Sequence, residues 1–117
     1  HNYINNCVAY SGTHDNNTLL GYLWETPFDQ KNEIMRYCVC DENQWNEKGC
    51  RAIIRTIMAS NAGLTIFPVQ DLLGYGSDTR LNVPGRADGN WLYRVTKEQI
   101  DNINKHEYKE LNELFGR

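Results

Sequence analysis

Two neighbouring residues whose side chains can do acid–base chemistry, His14 and Asp15, follow a short β-prone run at residues 7–10. Gly12 loosens the backbone just before them, and a segment with helical apolar spacing, residues 17–25, begins just after them. In α/β barrels, catalytic side chains project from the loops that join a strand to the following helix. The spacing therefore predicts a strand–loop–helix unit with a reactive pair in its loop.

A structural interpretation of the same two residues is also open. Asp and Asn are favoured at the N-cap of a helix, and Asn16 and Asn17 compete with Asp15 for that position. His14 can equally be a structural histidine on a turn. The residue pattern alone does not decide between a reactive pair and a helix cap.

Further regular elements must hold this junction in place. Their apolar spacing predicts helices at residues 29–40, 51–62 and 96–114 and a short buried strand at residues 64–67. Gly63 and Pro68 bound this strand, and Thr96 with Gln99 three positions on is typical of a capping box at the last helix. Two strand–helix units in series indicate an α/β fold in which helices dominate.

Two segments lack this spacing. Residues 41–49 are polar and predict a loop or a short helical turn. Residues 70–89 are glycine-rich but also carry apolar side chains, which argues against disorder and favours an irregular loop that faces a ligand.

Composition excludes several function classes. The formal net charge is -3 and the Lys and Arg residues are scattered, which disfavours a nucleic-acid partner. No apolar run approaches the about 20 residues of a membrane span. Cys38 and Cys40, with the distant Cys50 and His106, lack the paired spacing of a zinc site, so we expect no metal. Four cysteines without a disulfide pattern fit a reduced, cytoplasmic protein.

Four motifs occur in a fixed order along the chain. They are Gly-Thr-His-Asp-Asn at residues 12–16, Pro-Val-Gln-Asp-Leu-Leu-Gly at 68–74, Asp-Thr-Arg-Leu-Asn-Val-Pro-Gly at 78–85 and Gly-Asn-Trp-Leu-Tyr-Arg at 89–94. In order and spacing they resemble motifs of the 4-α-glucanotransferases (amylomaltase or disproportionating enzyme, glycoside hydrolase family 77). The departures from the family pattern fall on Ser11, Asn17 and Leu81.

The resemblance implies an α/β fold made of the C-terminal βα units of a (β/α)8 TIM barrel. The chain has 117 residues and begins at His1, whereas a complete barrel needs about 250 residues. We therefore expect residues 1–117 to be the C-terminal part of a catalytic barrel, helix-rich and prone to self-association as an isolated fragment. The nucleophilic aspartate and the acid/base glutamate of the family would lie upstream, so the fragment alone should be inactive.

The parent enzyme implied by the resemblance is a retaining transferase. It would move α-1,4-glucan segments between maltooligosaccharides, without a cofactor. Asp15 would hold hydroxyls of the sugar at the cleavage point and His14 would donate to another hydroxyl, so that both stabilise the transition state. Asn82, Gln70 and Trp91 are the expected substrate-binding residues.

Structural alternatives exist for each of these residues. Asn82 precedes Val-Pro-Gly and suits a turn, and Trp91 can pack under the loop. Gln70 and Asp71 follow the second strand, where Asp71 could form a buried polar network with Arg80. The competing class is a non-enzymatic, helix-rich interaction or carbohydrate-binding domain in which the His-Asp pair only caps a helix.

Overall fold

The computed structural model describes residues 2–41 and 43–117. Its regular elements within those residues, in chain order, are β1 (Val8–Tyr10), α1 (Leu19–Glu25), α2 (Phe28–Tyr37), α3 (Glu47–Met58), β2 (Leu64–Ile66), α4 (Val69–Leu73), α5 (Lys97–Asp101) and α6 (Lys105–Leu114), with a 3-10 turn at Ser77–Thr79. The expected helix-rich α/β architecture is confirmed at this level.

The two strands lie side by side and run parallel, with Ala9 opposite Thr65. Side chains alternate between the two faces of a strand. Ala9 is 5 % exposed, so one face of the sheet is covered. The other face carries four exposed apolar side chains: Val8, Tyr10, Leu64 and Ile66. The sheet is thus packed on one side only.

Helix α3 lies at the centre of the hydrophobic core. Cys50, Ile54 and Met58 recur every four residues, so they lie on one face of the helix, and each is at most 3 % exposed. Leu23 of α1 and Met35 of α2 are completely buried in the same cluster. Burial of an apolar side chain of this size contributes about 1.5 to 3 kcal/mol, so this cluster holds the helices behind the sheet.

The start of α3 differs from the prediction. The helix begins at Glu47, not at residue 51, because the Asn46 side chain accepts a hydrogen bond from the Lys48 N–H at 2.9 Å and caps it. Gly49, the last residue of the predicted loop, lies inside the helix. A Cβ atom there would overlap the Gln44 carbonyl oxygen. The glycine is therefore explained by the close packing of the preceding turn and not by an interruption of the helix.

The end of α3 is held by the last residue of the chain. The Arg117 guanidinium donates hydrogen bonds to the main-chain oxygens of Met58, Ser60 and Ala62 at 2.6, 2.6 and 2.5 Å. Carbonyl groups at a helix C-terminus lack partners within the helix, and a cation there also complements the helix dipole. Arg117 thus fastens the C-terminal segment to α3.

The long final helix predicted at residues 96–114 is wrong, because two short helices, α5 and α6, occupy this stretch. Thr96 and Gln99 form the expected capping box at the start of α5. The break occurs because the Asn104 side chain accepts from the Glu107 N–H at 3.2 Å and starts a new helix. The second cap, at Asn104, thus divides the predicted helix into two.

Two other predicted boundaries also change. The segment at residues 70–89 is not wholly irregular, since α4 occupies its beginning. Gly74, at φ 67°, ends this helix in the left-handed conformation that favours glycine. Helix α2 ends at Tyr37, before residue 40, and Val39 follows with a φ of 54°.

Two features of composition can be placed on this fold. No helix within the described residues is long and apolar enough to cross a membrane. The four cysteines are unpaired, and the described part of the chain has no group of three or more His, Cys, Asp or Glu side chains arranged to hold a metal ion.

Candidate functional site

The loop that joins β1 to α1, residues 11–18, carries the His-Asp pair. Within it, the Asn16 side-chain oxygen accepts hydrogen bonds from the N–H and the hydroxyl of Thr13, both at 2.9 Å. The N-cap of α1 is Thr18, whose hydroxyl oxygen accepts from the Gly21 N–H at 3.1 Å. The interpretation of Asp15 as the helix cap is therefore wrong.

The Asp15 carboxylate is half exposed and is held from one side. The Asn82 side-chain amide donates to its Oδ1 at 2.6 Å, and His14 Nε2 lies 3.4 Å from the same oxygen. The second carboxylate oxygen has no hydrogen-bond partner among the described residues. This oxygen can accept hydrogen bonds from an incoming group with hydroxyl donors.

Arg80 connects the His-Asp loop to the turn that contains Asn82. Its Nη2 donates to the main-chain oxygen of Asp15 and its Nε donates to the main-chain oxygen of Asn82, each at 2.9 Å. A planar guanidinium has its donors in a fixed fork, so it can hold two acceptors at a defined separation. Arg80 was missed as a site residue, although its position two residues before Asn82 placed it in the same turn.

Trp91 lies against His14. Their ring centroids are 5.2 Å apart with an interplanar angle of 39°, and half of Trp91 is exposed. The main-chain N–H of Trp91 donates to the Leu81 carbonyl at 2.6 Å, which closes the turn and brings the indole back to the loop. Trp91 has a φ of 62°, which is uncommon for a bulky residue. The packing of this turn therefore enforces the position of the indole.

Gln70 lies apart from this cluster. It is 5 % exposed, and its side-chain amide donates to the Thr79 carbonyl at 3.1 Å. The structure therefore brings together four of the five predicted site residues (His14, Asp15, Asn82 and Trp91) and gives the Gln70 amide nitrogen a structural partner.

An open cleft of about 630 Å³ runs between the loops that follow the two strands. His14, Gln70 and Arg80 line it, whereas Asp15, Asn82 and Trp91 are outside its lining. Cavities of about 300 to 1,000 Å³ suit small ligands. The His-Asp pair thus lies beside a space large enough for sugar rings.

Asp71 does not pair with Arg80 as expected. Its two carboxylate oxygens accept hydrogen bonds from the Ser11 hydroxyl at 2.5 Å and from the Leu19 N–H at 2.8 Å. Asp71 is 2 % exposed, and this burial raises the pKa of its carboxyl, while the hydrogen bonds from Leu19 and Ser11 act in the opposite direction. The sequence signal for this buried carboxylate was its position next to Gln70, shortly after β2.

The site is polar and lies at the carboxyl edge of two parallel strands, where ligands bind in α/β enzymes. A sequence model of the family described as 4-alpha-glucanotransferase, glycoside hydrolase family 77, matches residues 1–100. The chain belongs to this family. Because this is a family of enzymes, the alternative of a non-enzymatic interaction domain is not favoured.

Individual relatives agree with this assignment. The chain is 42 % identical over 120 residues to the 4-alpha-glucanotransferase of Synechocystis, an alignment that covers 99 % of this chain and 23 % of that protein. It is 38 % identical over 118 residues to the chloroplastic/amyloplastic 4-alpha-glucanotransferase of Solanum tuberosum, covering 99 % and 20 % of the two chains. It thus spans about a fifth to a quarter of these relatives.

A solved structure has the same fold over the whole chain. The amylomaltase from Streptococcus agalactiae, in complex with acarbose, superposes with a TM-score of 0.89 at 33 % sequence identity. The match covers 100 % of this chain and 23 % of the amylomaltase.

Proposed function

We propose that this chain is the C-terminal βα part of the catalytic barrel of a retaining 4-α-glucanotransferase. The whole enzyme transfers α-1,4-glucan segments between maltooligosaccharides in the cytoplasm, without a cofactor. The observation that carries the proposal is the half-exposed Asp15 carboxylate, held by Asn82 beside His14 and next to an open cleft. Family membership supports the same conclusion.

In this proposal Asp15 and His14 act without forming a covalent bond. Transfer of a glycosyl group passes through an oxocarbenium-like state, and hydrogen bonds to ring hydroxyls that strengthen there lower the barrier by several kcal/mol. The unpartnered oxygen of Asp15 accepts from sugar hydroxyls, and its negative charge stabilises the electron-poor ring. The imidazole of His14 donates to a further hydroxyl of the same sugar.

Three other residues complete the proposed substrate contacts. Trp91 offers an exposed indole face on which a sugar ring can stack, and its packing against His14 orients the imidazole. Asn82 uses its amide nitrogen to orient Asp15, which leaves its side-chain oxygen as an acceptor. Gln70 contributes from the wall of the cleft through its side-chain oxygen.

The attacking aspartate and the acid/base glutamate belong, in this proposal, to the rest of the parent barrel. The exposed apolar face of the two strands supports this placement, because an uncovered sheet face of this kind needs a partner. In the proposed barrel, neighbouring strands extend the sheet and their side chains fill its interior. This chain is therefore expected to be inactive alone.

A chimera tests the proposed function. This chain replaces the matching segment of the Synechocystis relative, and the products formed from maltotriose are analysed by chromatography. We expect both longer and shorter maltooligosaccharides from the chimera. Asp15→Asn should abolish nearly all transfer, whereas Asp29→Asn, at an exposed carboxylate of α2, should leave it unchanged. A folded chimera whose transfer is unaffected by Asp15→Asn would contradict the proposal.

A further inference from the structure

One buried carboxylate holds both ends of the His-Asp loop. Ser11 is the first residue after β1 and Leu19 is the first residue of α1, and each donates a hydrogen bond to a different oxygen of Asp71. Asp71 itself lies in α4, which follows the neighbouring strand. The separation between the two ends of the loop is therefore set by a side chain from another strand–helix unit.

The tip of the loop is held from a different direction. Arg80 donates to the main-chain oxygen of Asp15, and the same guanidinium donates to the main-chain oxygen of Asn82. Because both oxygens bind one rigid group, the backbones of Asp15 and Asn82 keep a fixed separation. The Asn82 amide can then remain 2.6 Å from the Asp15 carboxylate.

We propose that Asp71 and Arg80 are positioning residues for the Asp15 carboxylate. Asp71 fixes the two ends of the loop and Arg80 fixes its tip against the Asn82 turn, so that each acts through Asp15. The inference rests on the transition-state role proposed for Asp15. It goes beyond that role because it names the groups that set the direction of the carboxylate.

The hydrogen bonds of Ser11, Leu19 and the Asp15 carbonyl anchor the loop against different movements. With Ser11 and Leu19 fixed, the loop cannot shift along the sheet edge, and with the Asp15 carbonyl bound, its tip cannot turn. A displacement of about 1 Å in a catalytic group can reduce the rate by about a hundredfold. Small losses of order in this loop should therefore be visible in turnover before they are visible in stability.

Lysine cannot replace Arg80 in this arrangement. Its ammonium group is a single point donor on a flexible stem, whereas the guanidinium presents two nitrogens to two oxygens at once. Arg80→Lys keeps the charge and most of the volume but leaves one carbonyl without its partner. This variant therefore separates positioning from charge.

The experiment uses the full-length enzyme that carries this chain, with kcat and KM measured separately for maltotriose. We expect Arg80→Lys to lower kcat by about ten- to a hundredfold with little change in KM. Ser11→Ala, which removes one anchor of the loop and no buried charge, should lower kcat by a smaller factor. Arg36→Lys, at an exposed arginine on α2, is the matched control and should keep kcat.

A double-mutant cycle shows whether Arg80 acts through Asp15. In an Asp15→Asn background, Arg80→Lys should cost little further activity, because the group that it positions is already lost. Added guanidinium ions should partly restore kcat to Arg80→Ala but not to Asp15→Asn. A purely structural role predicts multiplicative losses, a lower melting temperature and no rescue.

The outcomes separate this inference from the proposed function. If Asp15→Asn retains normal kcat, the transition-state role of Asp15 is wrong and the positioning role falls with it. If Asp15→Asn is impaired while Arg80→Lys and Ser11→Ala are both normal in kcat, only the positioning inference is overturned. Multiplicative losses in the cycle also overturn it.

Discussion

A polar residue and an aspartate stand four and five positions after the end of each strand, yet the two aspartates have opposite surroundings. After β1 come His14 and Asp15, and the side chains of both are about half exposed. After β2 come Gln70 and Asp71, which are 5 % and 2 % exposed. One carboxylate at this sheet edge is thus half exposed, whereas the other is buried and accepts hydrogen bonds from both ends of the loop that carries the first.

Chain geometry explains the difference. Pro68 precedes α4 directly, so Gln70 and Asp71 fall in the first turn of a helix that packs against α3. The loop after β1 instead continues to Thr18 before its helix starts, so its tip extends away from the core. The length of the loop after each strand therefore decides which carboxylate is buried.

The largest expected difference between the two aspartates is in the stability of the chain. Asp71→Ala leaves the buried Leu19 N–H and the part-buried Ser11 hydroxyl without their partner, so we expect a loss of about 2 to 3 kcal/mol in the free energy of unfolding. Asp15→Ala should change it by less than about 0.5 kcal/mol, as is usual at exposed positions. Urea denaturation measures both, with Asp88→Ala as an exposed control.

Equal losses from the two alanine variants would contradict this difference between the two aspartates. They would mean that Asp15 is as deeply involved in folding as Asp71. Such a result would also weaken the proposal that the Asp15 carboxylate binds substrate.

Gln70 and His14, which precede the two aspartates, should differ in their effect on stability in the same direction but by less. Gln70→Ala removes one buried hydrogen bond to the Thr79 carbonyl and should cost about 1 kcal/mol. His14→Ala removes a half-exposed ring and should leave the melting temperature nearly unchanged. Thermal unfolding followed by circular dichroism compares the two, and a larger loss for His14→Ala would show that this ring is structural.

The smallest effect concerns pH. Because burial raises the pKa of Asp71 above its ordinary value of 3.8, the folded chain binds this proton more tightly than the unfolded chain does. The stability that this group contributes is fully present below pH 3.8 and is lost as the pH rises through the folded pKa. The difference in unfolding free energy between the unsubstituted chain and Asp71→Asn should therefore fall with rising pH across this window.

Urea titrations of both chains at a series of pH values test this slope. A difference that grows with pH would mean that the hydrogen bonds from Ser11 and Leu19 outweigh the burial of the charge. The pKa of Asp71 would then be lowered, not raised.

Much of the architecture could be predicted from local sequence, because apolar spacing is a local property. The cores of α1, α2 and α3, both strands and the Thr96 cap were all visible in this way. The caps at Thr18 and Asn104 were also present in the sequence, but the apolar pattern around them suggested longer helices.

The arrangement of the site could be predicted only in part. His14 and Asp15 stand out as an acid–base pair, but nothing local shows that Asn82 would donate to Asp15 across 67 positions. The roles of Asp71 and Arg80 depend on which loop each side chain meets, and tertiary packing decides this. Sequence alone gave Asp71 the wrong partner for that reason.

The parallel register of the strands has a consequence for how the chain folds. Val8 pairs with Leu64, and the three helices α1, α2 and α3 lie between them in sequence. Helices form from local contacts, whereas pairing of distant segments must first overcome the entropy of closing a long loop. Asp71 and Arg80 reach the His-Asp loop across similar distances along the chain. The site geometry is therefore among the last features to assemble, and a growing polypeptide can complete it only after residue 91 has been synthesised.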